Sequence, residues 1–592
     1  MVSTIPTIDW IIVGLYLVAA IIIGIMLSKK ATHDISSYFV SSRNLPWWLL
    51  GTSMVATTFA ADTPLAVSGL VVSQGIAGNW YWWAGVLSGM LGVFLYSHLW
   101  RRSECITDTQ LVELRYSGKE AAFLRGFRAV YFSVVYNSIV MGWVNLAMAK
   151  ILSETLGLPK LHATGLCFIV TVVYTALAGL WGVVLTDFFQ FVIAMFGAIL
   201  MAAIVVTKTG GINTILTKLT EIYGIERATD MTKLIPFESS LIPFSFFLIY
   251  IGLQWWSTGN TDGGGYFAQR MLAAKNELHA KIGFLWGNIA HYILRSWPWV
   301  VCGLVAAVVY YKIDPQTGKL VYSVGAKIGQ VADPEVGYIR LMIDYLPSGL
   351  LGLMLASFVA AYMSTIDTQL NWGAGYLIND FYKRFIVKNA SEKHYVTMSI
   401  IATVFIALCG AIMTLLMSSI SGAWFLLTAI NAGIGVVYLL RWYWWRVSAY
   451  SEIAAMSTAF IVAFVLFKFT KIRFPISLLY SIPISLVVWL TVTLLTPPVE
   501  KEKLIEFYKK VRPGGPGWRK IASEIPGCEK DRIGIHRFIG WFCGVVAVYS
   551  VMLGIGDLLL HKTPLVIVCL ILGIAGFYGV YRCVKIETQQ MK

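Results

Sequence analysis

Apolar runs of about 20 residues recur along the whole 592-residue chain, and each is long enough to cross a hydrocarbon core of about 30 Å. A segment in lipid must satisfy its own backbone polar groups, so runs of this kind fold as helices. The sequence predicts an all-α polytopic membrane protein with about fifteen transmembrane helices. These lie near 9–29, 46–75, 80–100, 123–152, 160–180, 183–207, 240–260, 277–312, 346–380, 394–418, 421–442, 448–470, 475–496, 537–559 and 564–583. Only 13% of the residues are charged, against about 25% in soluble domains. The longest segments between runs, 207–240, 313–345 and 497–536, are too short to build cores of their own. Function is therefore expected among the helices. The first run lacks a basic leader and a small-residue cleavage site, so it reads as a retained helix and not a signal peptide.

The formal charge of +15 does not point to nucleic acid, because the basic residues fall in alternate loops. SKK at 28–30, RR at 101–102, QRMLAAK at 269–275, FYKRF at 381–385, RWYWWR at 441–446 and the basic segment 497–536 all follow odd-numbered runs. This is the positive-inside pattern of a multi-pass cell-membrane protein, with the N-terminus outside and the C-terminus cytoplasmic. The Lys-containing stretch 207–240 is placed outside against this trend, and long loops weigh little in the rule. The eight cysteines are scattered, mostly within apolar runs, and read as small buried hydrophobes. HExxH, GxSxG and CxxC patterns are absent, so no enzyme is expected. The expected partners are a small solute, ions and the bilayer.

Three runs are interrupted by residues that a plain membrane helix does not carry. In TTFAADTP, two threonines, Asp62 and Pro64 sit mid-span, and proline breaks the hydrogen-bond ladder. Unwound backbone at that depth must line a protein-buried or polar cavity, which frees carbonyls near Ala56 and Phe59 for a cation. In IGLQWWSTGNTDGGGYFAQR, the consecutive Gly263, Gly264 and Gly265 each cost about 1 kcal/mol of helix stability relative to Ala. Two broken helices about 200 residues apart suggest a midplane site in a transporter built from repeats. In AGLWGVVLTDFFQF, Asp187 stands either as a helix cap or as an ion-linked group.

The run FVAAYMSTIDTQLN at 358–371 is the most informative. On a helix, Ala361, Ser364, Thr365 and Thr368 share a face, with Asp367 and Asn371 beside them. A carboxylate in the bilayer costs about 2.5–3.5 kcal/mol even on the insertion scale. Hydroxyl and carbonyl oxygens are hard ligands suited to a hard cation. Elsewhere, Arg295 either pairs with Asp62 or Asp262 or awaits an anionic substrate. Trp80, Trp82, Trp83, Trp255 and Trp256 either offer faces to a pyranose ring or gather at the membrane interface.

These stretches, with YFVSSRNLPWWLLGTSMVATTFAAD at 38–62, AGLWGVVLTDFFQ at 178–190 and SFVAAYMSTIDTQLNWGAGYLINDFYKRF at 357–385, resemble the sodium:solute symporter family, which contains the sodium/glucose cotransporters. The resemblance covers residues 5–470. It implies a leucine-transporter-like core of 5+5 inverted repeats, with one extra N-terminal helix and about four extra C-terminal helices. The segments implied are 1–45 (extra helix and inner loop), 46–207 (first repeat), 208–239 (outer loop), 240–442 (second repeat) and 443–592 (peripheral helices with the inner loop 497–536). It also implies sodium (Na+) held by the carbonyls of Ala56, Phe59 and Ala361 and the hydroxyls of Ser364 and Thr365. A second site, for sodium or a proton, would use Asp187, Ser364, Asp367 and Thr368. Asp367 departs from the Ser or Thr usual there, and like-charge proximity to Asp187 favours either tighter sodium or a carried proton.

The substrate positions carry over poorly. Trp82 replaces an acidic residue of the second core helix, the expected lysine of the seventh aligns nearest Leu294 with Arg295 beside it, and Gln254, Trp255 and Trp256 stand where an Asn/Tyr pair is usual. The expected solute contacts are Asp62, Thr63, Trp82, Gln254, Trp255, Trp256 and Arg295. The function implied is sodium-coupled import of a small polar solute, a sugar or sugar derivative first. An organic anion or amino acid is the alternative solute. A sensor or sodium channel without coupled uptake is the alternative class.

Overall fold

The computed structural model describes residues 5–31, 43–175, 180–325, 327–525, 527, 531, 534–561 and 563–590. Residues 38–42 and Ala178 and Gly179 of the quoted motifs, parts of the 497–536 loop and the last two residues lie outside the described residues.

The chain runs as α1 (Thr7–Ala31), a broken span α2 (Trp47–Thr57) and α3 (Asp62–Gln74), α4 (80–103), α5 (Gly118–Leu156), α6 (Lys160–Thr175) and α7 (Leu180–Lys208). A connecting segment with the helix α8 (Gly211–Tyr223) leads to α9 (244–257), α10 (Tyr266–Leu272) and α11 (Glu277–Tyr310). A two-stranded hairpin follows, with β1 (Tyr311–Ile313) antiparallel to β2 (Leu320–Tyr322). Next come α12 (Gly337–Tyr345), α13 (Leu350–Ile386), α14 (Glu392–Leu416), α15 (Ile420–Ile430) and α16 (Gly435–Tyr443). The last helices are α17 (Ala449–Phe469), α18 (Leu478–Leu495), α19 (Lys501–Val511), α20 (Ile535–Leu559) and α21 (Thr563–Gln590).

Among the described residues nine helices are long and apolar enough to cross a membrane, or eleven when the two bent pairs are counted as spans. The difference from fifteen has two sources. The first run and 160–180 are helical over Thr7–Ala31 and Lys160–Thr175 but are counted only over the parts whose side chains are described, Thr7–Ala19 and Lys160–Val170, while the 80–100 and 240–260 runs are divided into shorter helical pieces.

The interruptions fall where Pro and Gly place them, with one addition. The first span bends by 57° across 58–61, and Pro64 sits in the first turn of α3, where a missing amide costs nothing. The second break, 258–265, needs its glycines: Gly263 and Gly265 have φ of 77° and 70°, a region closed to most side chains. A third break, bent by 49°, parts α15 from α16 at 431–434. It packs on the second, with Gly433 N donating to the Ser257 carbonyl at 2.9 Å.

Small residues let the helices approach. A Cβ at Gly51 on α2 would lie 2.2 Å from the Gly283 carbonyl oxygen of α11, so these backbones meet with no side chain between them. Remote carboxylates cap two helix starts, supplying acceptors to amides that the helix itself leaves open. Asp9 Oδ1 of α1 accepts from Gly349 N at 2.6 Å and Gly352 N at 2.7 Å at the start of α13. Glu335 of the loop between β2 and α12 accepts from Ile420 N and Ser421 N at the start of α15 and pairs with Lys150 of α5 at 2.7 Å. Burial pushes the Glu335 carboxyl up, but Lys150 and the two amides outweigh it and hold it below its usual value. A depressed folded-state pKa gives stability that is present above the unfolded value and lost as pH falls through the folded one. Glu335→Gln is therefore expected to lower the melting temperature at neutral pH and to flatten its fall on the acid side, measured by pH-dependent thermal unfolding in detergent.

The last helices reach into the core. Trp541 Nε1 of α20 donates to Leu87 O at 3.0 Å, and Trp297 Nε1 of α11 donates to Met552 O at 2.7 Å. Glu587 of α21 pairs with Lys281 of α11 and, at 3.0 Å, with Arg537 of α20. Glu452 of α17 is buried and accepts from Arg128 at 3.0 Å. The outer faces of α14, α17, α18 and α21 instead present Leu, Ile, Val and Phe outward, as lipid contact requires.

Candidate functional site

Two adjoining polar regions lie where α2 gives way to α3. The first is a cavity of about 300 Å³. The broken span contributes Asp62 and Thr63, α4 contributes Tyr81 and Trp82, α5 Tyr136 and Trp143, α10 Tyr266, α11 His291 and Arg295, α13 Thr365 and Gln369, and α15 Trp424 and Thr428. Of the expected solute contacts, Asp62, Thr63, Trp82 and Arg295 are brought together here.

Gln254, Trp255 and Trp256 are not among the lining residues. Gln254 is turned onto the backbone, its Nε2 donating to the Tyr81 carbonyl at 2.9 Å. Trp255 stacks on Trp541 of α20 with ring centroids 6.0 Å apart, and Trp256 Nε1 returns to Gly252 O at 2.6 Å. The helical piece before the break thus aims its tryptophans at neighbouring helices, and the break begins two residues after Trp256. The cavity's aromatic walls come instead from Tyr81, Trp82, Tyr136, Trp143 and Trp424.

Arg295 pairs with neither anticipated carboxylate by a direct hydrogen bond. Nε donates to His291 O at 3.1 Å, Nη1 to Thr58 Oγ1 at 3.1 Å and to Val55 O at 3.4 Å, and Nη2 rests 2.8 Å from His291 Nε2. The guanidinium thus stands at the carbonyl end of α2, where the helix dipole is negative. Asp262 is committed elsewhere: its Oδ2 accepts from Arg441 Nη2 at 2.7 Å and Trp442 Nε1 at 2.8 Å. Two acceptors in the cavity, Asp62 Oδ1 and Gln369 Oε1, are buried without a hydrogen-bond partner. A buried acceptor of this kind needs a donor from a ligand, an ion-bound group or a water.

The second region lies between α2, α7, α10 and α13. Ser364 and Thr365, adjacent on α13, reach in different directions. Thr365 Oγ1 donates to the Thr57 carbonyl of α2 at 3.1 Å, and Ser364 Oγ donates to Asp187 Oδ1 of α7. Asp187 Oδ2 accepts from Ser53 Oγ of α2 at 2.6 Å. Asp187 lies within α7 and not at its first turn, so the helix-cap alternative falls away. Ala56, at the end of α2, accepts the Phe59 amide at 2.9 Å across the break. Ser364, Thr365, Asp367 and Thr368 are all buried on α13.

Arg270 of α10 enters this region fully buried. It donates to Thr368 Oγ1 at 3.0 Å, Thr57 Oγ1 at 3.2 Å and Ser53 Oγ at 3.4 Å, and lies 4.0 Å from Asp187 Oδ2. In the sequence it belongs to QRMLAAK, which carries the signature of an inner basic loop and none of a buried site. Among the described residues, no group of three or more His, Cys, Asp or Glu side chains is placed to hold a metal. The oxygens here are mainly hydroxyls and carbonyls, the donors an alkali cation takes.

The family model for the sodium:solute symporter family matches residues 38–459. The chain is 24% identical over 493 residues to sodium/glucose cotransporter 4 of Danio rerio, covering 78% of this chain and 72% of that protein. It is 24% identical over 500 residues to the sodium/glucose cotransporter of Vibrio parahaemolyticus, covering 81% and 89%. Against sodium/myo-inositol cotransporter 2 of Oryctolagus cuniculus the identity is 25% over 421 residues, covering 68% and 59%. A solved Na+-coupled sialic acid symporter, in a substrate-bound outward-open state, shares the fold with a TM-score of 0.68 at 17% identity, over 84% of this chain and 99% of that one.

Proposed function

The chain belongs to the sodium:solute symporter family, and from that premise we propose that it couples sodium to the uptake of a neutral, hydroxyl-rich solute such as a sugar or polyol. The observation that carries the solute class is the pair of buried acceptors, Asp62 Oδ1 and Gln369 Oε1, in a cavity walled by aromatic rings. Hydroxyl groups supply the missing donors, and ring faces cover the apolar side of a sugar. The relatives named as sodium/glucose and sodium/myo-inositol cotransporters are consistent with this class.

An organic anion is the second reading, and Arg295 is what favours it. Its donors, however, already reach His291, Thr58 and Val55, and an anion beside Asp62 meets a like charge. The sodium ligands proposed are the carbonyls of Ala56, Phe59 and Ala361 and the hydroxyls of Ser364 and Thr365. Thr57 and Thr365 also line the solute cavity, so an ion drawing α2 to α13 stiffens the wall that the solute touches. Such shared structure supports a reciprocal coupling of about 1–3 kcal/mol. The two halves proposed for the inverted repeats are 46–207 and 240–442, with the N-terminus outside and the C-terminus cytoplasmic.

The test is thermal stabilisation and uptake with neutral sugars, inositols, sugar acids and amino acids, in sodium and in choline. Neutral polyols are expected to act only with sodium. Action by anions alone overturns the solute class. Asp62→Asn replaces a charge-assisted acceptor, which holds about 1.5–3 kcal/mol, by a neutral one holding about 0.5–1.5 kcal/mol. Polyol affinity is expected to fall about tenfold with sodium affinity little changed, measured by sodium and solute titrations of the same uptake.

A further inference from the structure

Another cavity, of about 350 Å³, shares no lining residue with the solute cavity. It lies where the end of α4, the turn between α10 and α11, and the end of α19 converge, and every residue lining it is polar or charged. Five cations there meet two carboxylates. Glu277 is taken by Arg102 at 2.9 Å, and Arg102 also pairs with Asp531 at 2.5 Å. Glu104 reaches Lys510 only at 3.8 Å, with both side chains exposed. Arg101 Nε donates to the neutral Ala274 carbonyl at 2.7 Å, and Lys275 is exposed beside it. Glu104 and Arg512 end α4 and α19 with φ of 53° and 49°, so charged side chains stand where a helix usually ends in glycine. The helix dipole accounts for cations at these two C-terminal ends, but not for Lys275. That residue precedes Asn276, whose Oδ1 caps the start of α11 by accepting from His279 N at 2.9 Å, and a cation is unfavourable at a helix start.

We propose that this cavity binds a small phosphate-bearing anion, the chemistry shared by soluble polyphosphates and phosphorylated lipid headgroups. Three physical points support this. Guanidinium forks and ammonium groups converging on one space match phosphate oxygens, which accept several charge-assisted hydrogen bonds at once. The lining has no apolar side chain, so it offers no seat for a base or an acyl chain and selects for the phosphate groups themselves. The Glu104–Lys510 contact is long and exposed, and ion pairs of that kind hold little energy, so an entering phosphate displaces the carboxylate readily. A bound anion bridges Lys275 of the turn after α10 to Lys510 of α19, and so ties the 497–536 segment to the helices that follow the second break.

This proposal is independent of the coupled ion and the solute. The test is thermal unfolding of the full-length protein in detergent, at constant ionic strength and constant sodium. The titrants are potassium pyrophosphate, potassium sulfate, and a short-chain phosphatidylinositol bisphosphate against phosphatidylcholine of the same chain length. A saturable rise in melting temperature is expected with pyrophosphate or with the phosphoinositide. A response to pyrophosphate identifies a soluble anion as sufficient, and a response to the phosphoinositide alone identifies a lipid headgroup. In the double variant Lys275→Gln with Lys510→Gln, the midpoint of the responding titration is expected to rise about tenfold or more, the value of a hydrogen bond to a charged group. No saturable rise with either phosphate compound overturns the proposal, and so does an equal rise with sulfate. An unchanged midpoint in the double variant overturns the site. Lys275→Gln alone, at an exposed position, reads the same shift where the double variant does not fold.

Discussion

Ser364→Ala is expected to raise the sodium concentration that half-saturates uptake by about tenfold or more. A hydrogen bond to a charged group contributes about 1.5–3 kcal/mol, and 1.4 kcal/mol is a factor of ten in an equilibrium constant. The Ser364 hydroxyl holds two positions at once: it donates to Asp187, and its oxygen is a proposed sodium ligand. Its loss removes that ligand and unsatisfies a carboxylate that the hydroxyl helps to solvate. Thr365→Ala is expected to act in the same direction, because Thr365 Oγ1 reaches the Thr57 carbonyl across the contact between α2 and α13. Thr365→Ser keeps the hydroxyl and is expected to stay near wild type. Sodium titration of solute uptake into proteoliposomes reads all three. An unchanged sodium dependence in both alanine variants removes Ser364 and Thr365 from the ion site, whatever happens to the maximal rate.

The stripe on α13 was legible because helical period alone decides which residues share a face. The first two breaks were legible for a local reason as well, since Pro and consecutive Gly leave few backbone alternatives. The third break has no such signal: in AINAGIG the apolar run continues through Asn431 and Gly433, and only packing on the second break shows why the helix stops. Periodicity gives a face but not the neighbour it meets. Trp255 and Trp256 accordingly looked like cavity residues, whereas their half-helix aims them at α20 and at their own backbone. Arg270 was illegible for a related reason. It follows a three-glycine turn whose geometry sets the orientation of α10, so no spacing from the preceding helix predicts where its side chain goes. Arg295, one residue beyond the aligned position, has its role fixed by the carbonyl end of α2, a feature of a different helix.

Arg441 shows the same limit in its energetics and carries the largest expected loss of stability. Its run, RWYWWR, has the composition of an inner basic loop, yet its side chain is only 2% exposed, pairing with Asp262 at 2.7 Å and Glu452 at 3.4 Å. The guanidinium also lies over the Tyr438 ring at 4.4 Å. Asp262 belongs to the second break and Glu452 to α17, so one cation fixes the unwound segment to a helix outside the proposed repeats. Removing one partner of a buried ion pair costs about 3–5 kcal/mol, because the charge left behind cannot be solvated. Arg441→Met strands Asp262, while Glu452 keeps its pair with Arg128 at 3.0 Å, and a fall in melting temperature of several degrees is expected in detergent, with loss of folded protein on expression. Arg441→Lys keeps the charge but lacks the planar fork that reaches both carboxylates, so it is expected to fall between. The control is the double variant Arg441→Met with Asp262→Asn. Relieving one stranded charge is expected to recover part of the loss, a coupling that a purely steric defect would not show. If the double variant melts at the sum of the two separate losses, the pair is not coupled and the break is held by its glycines and packing alone.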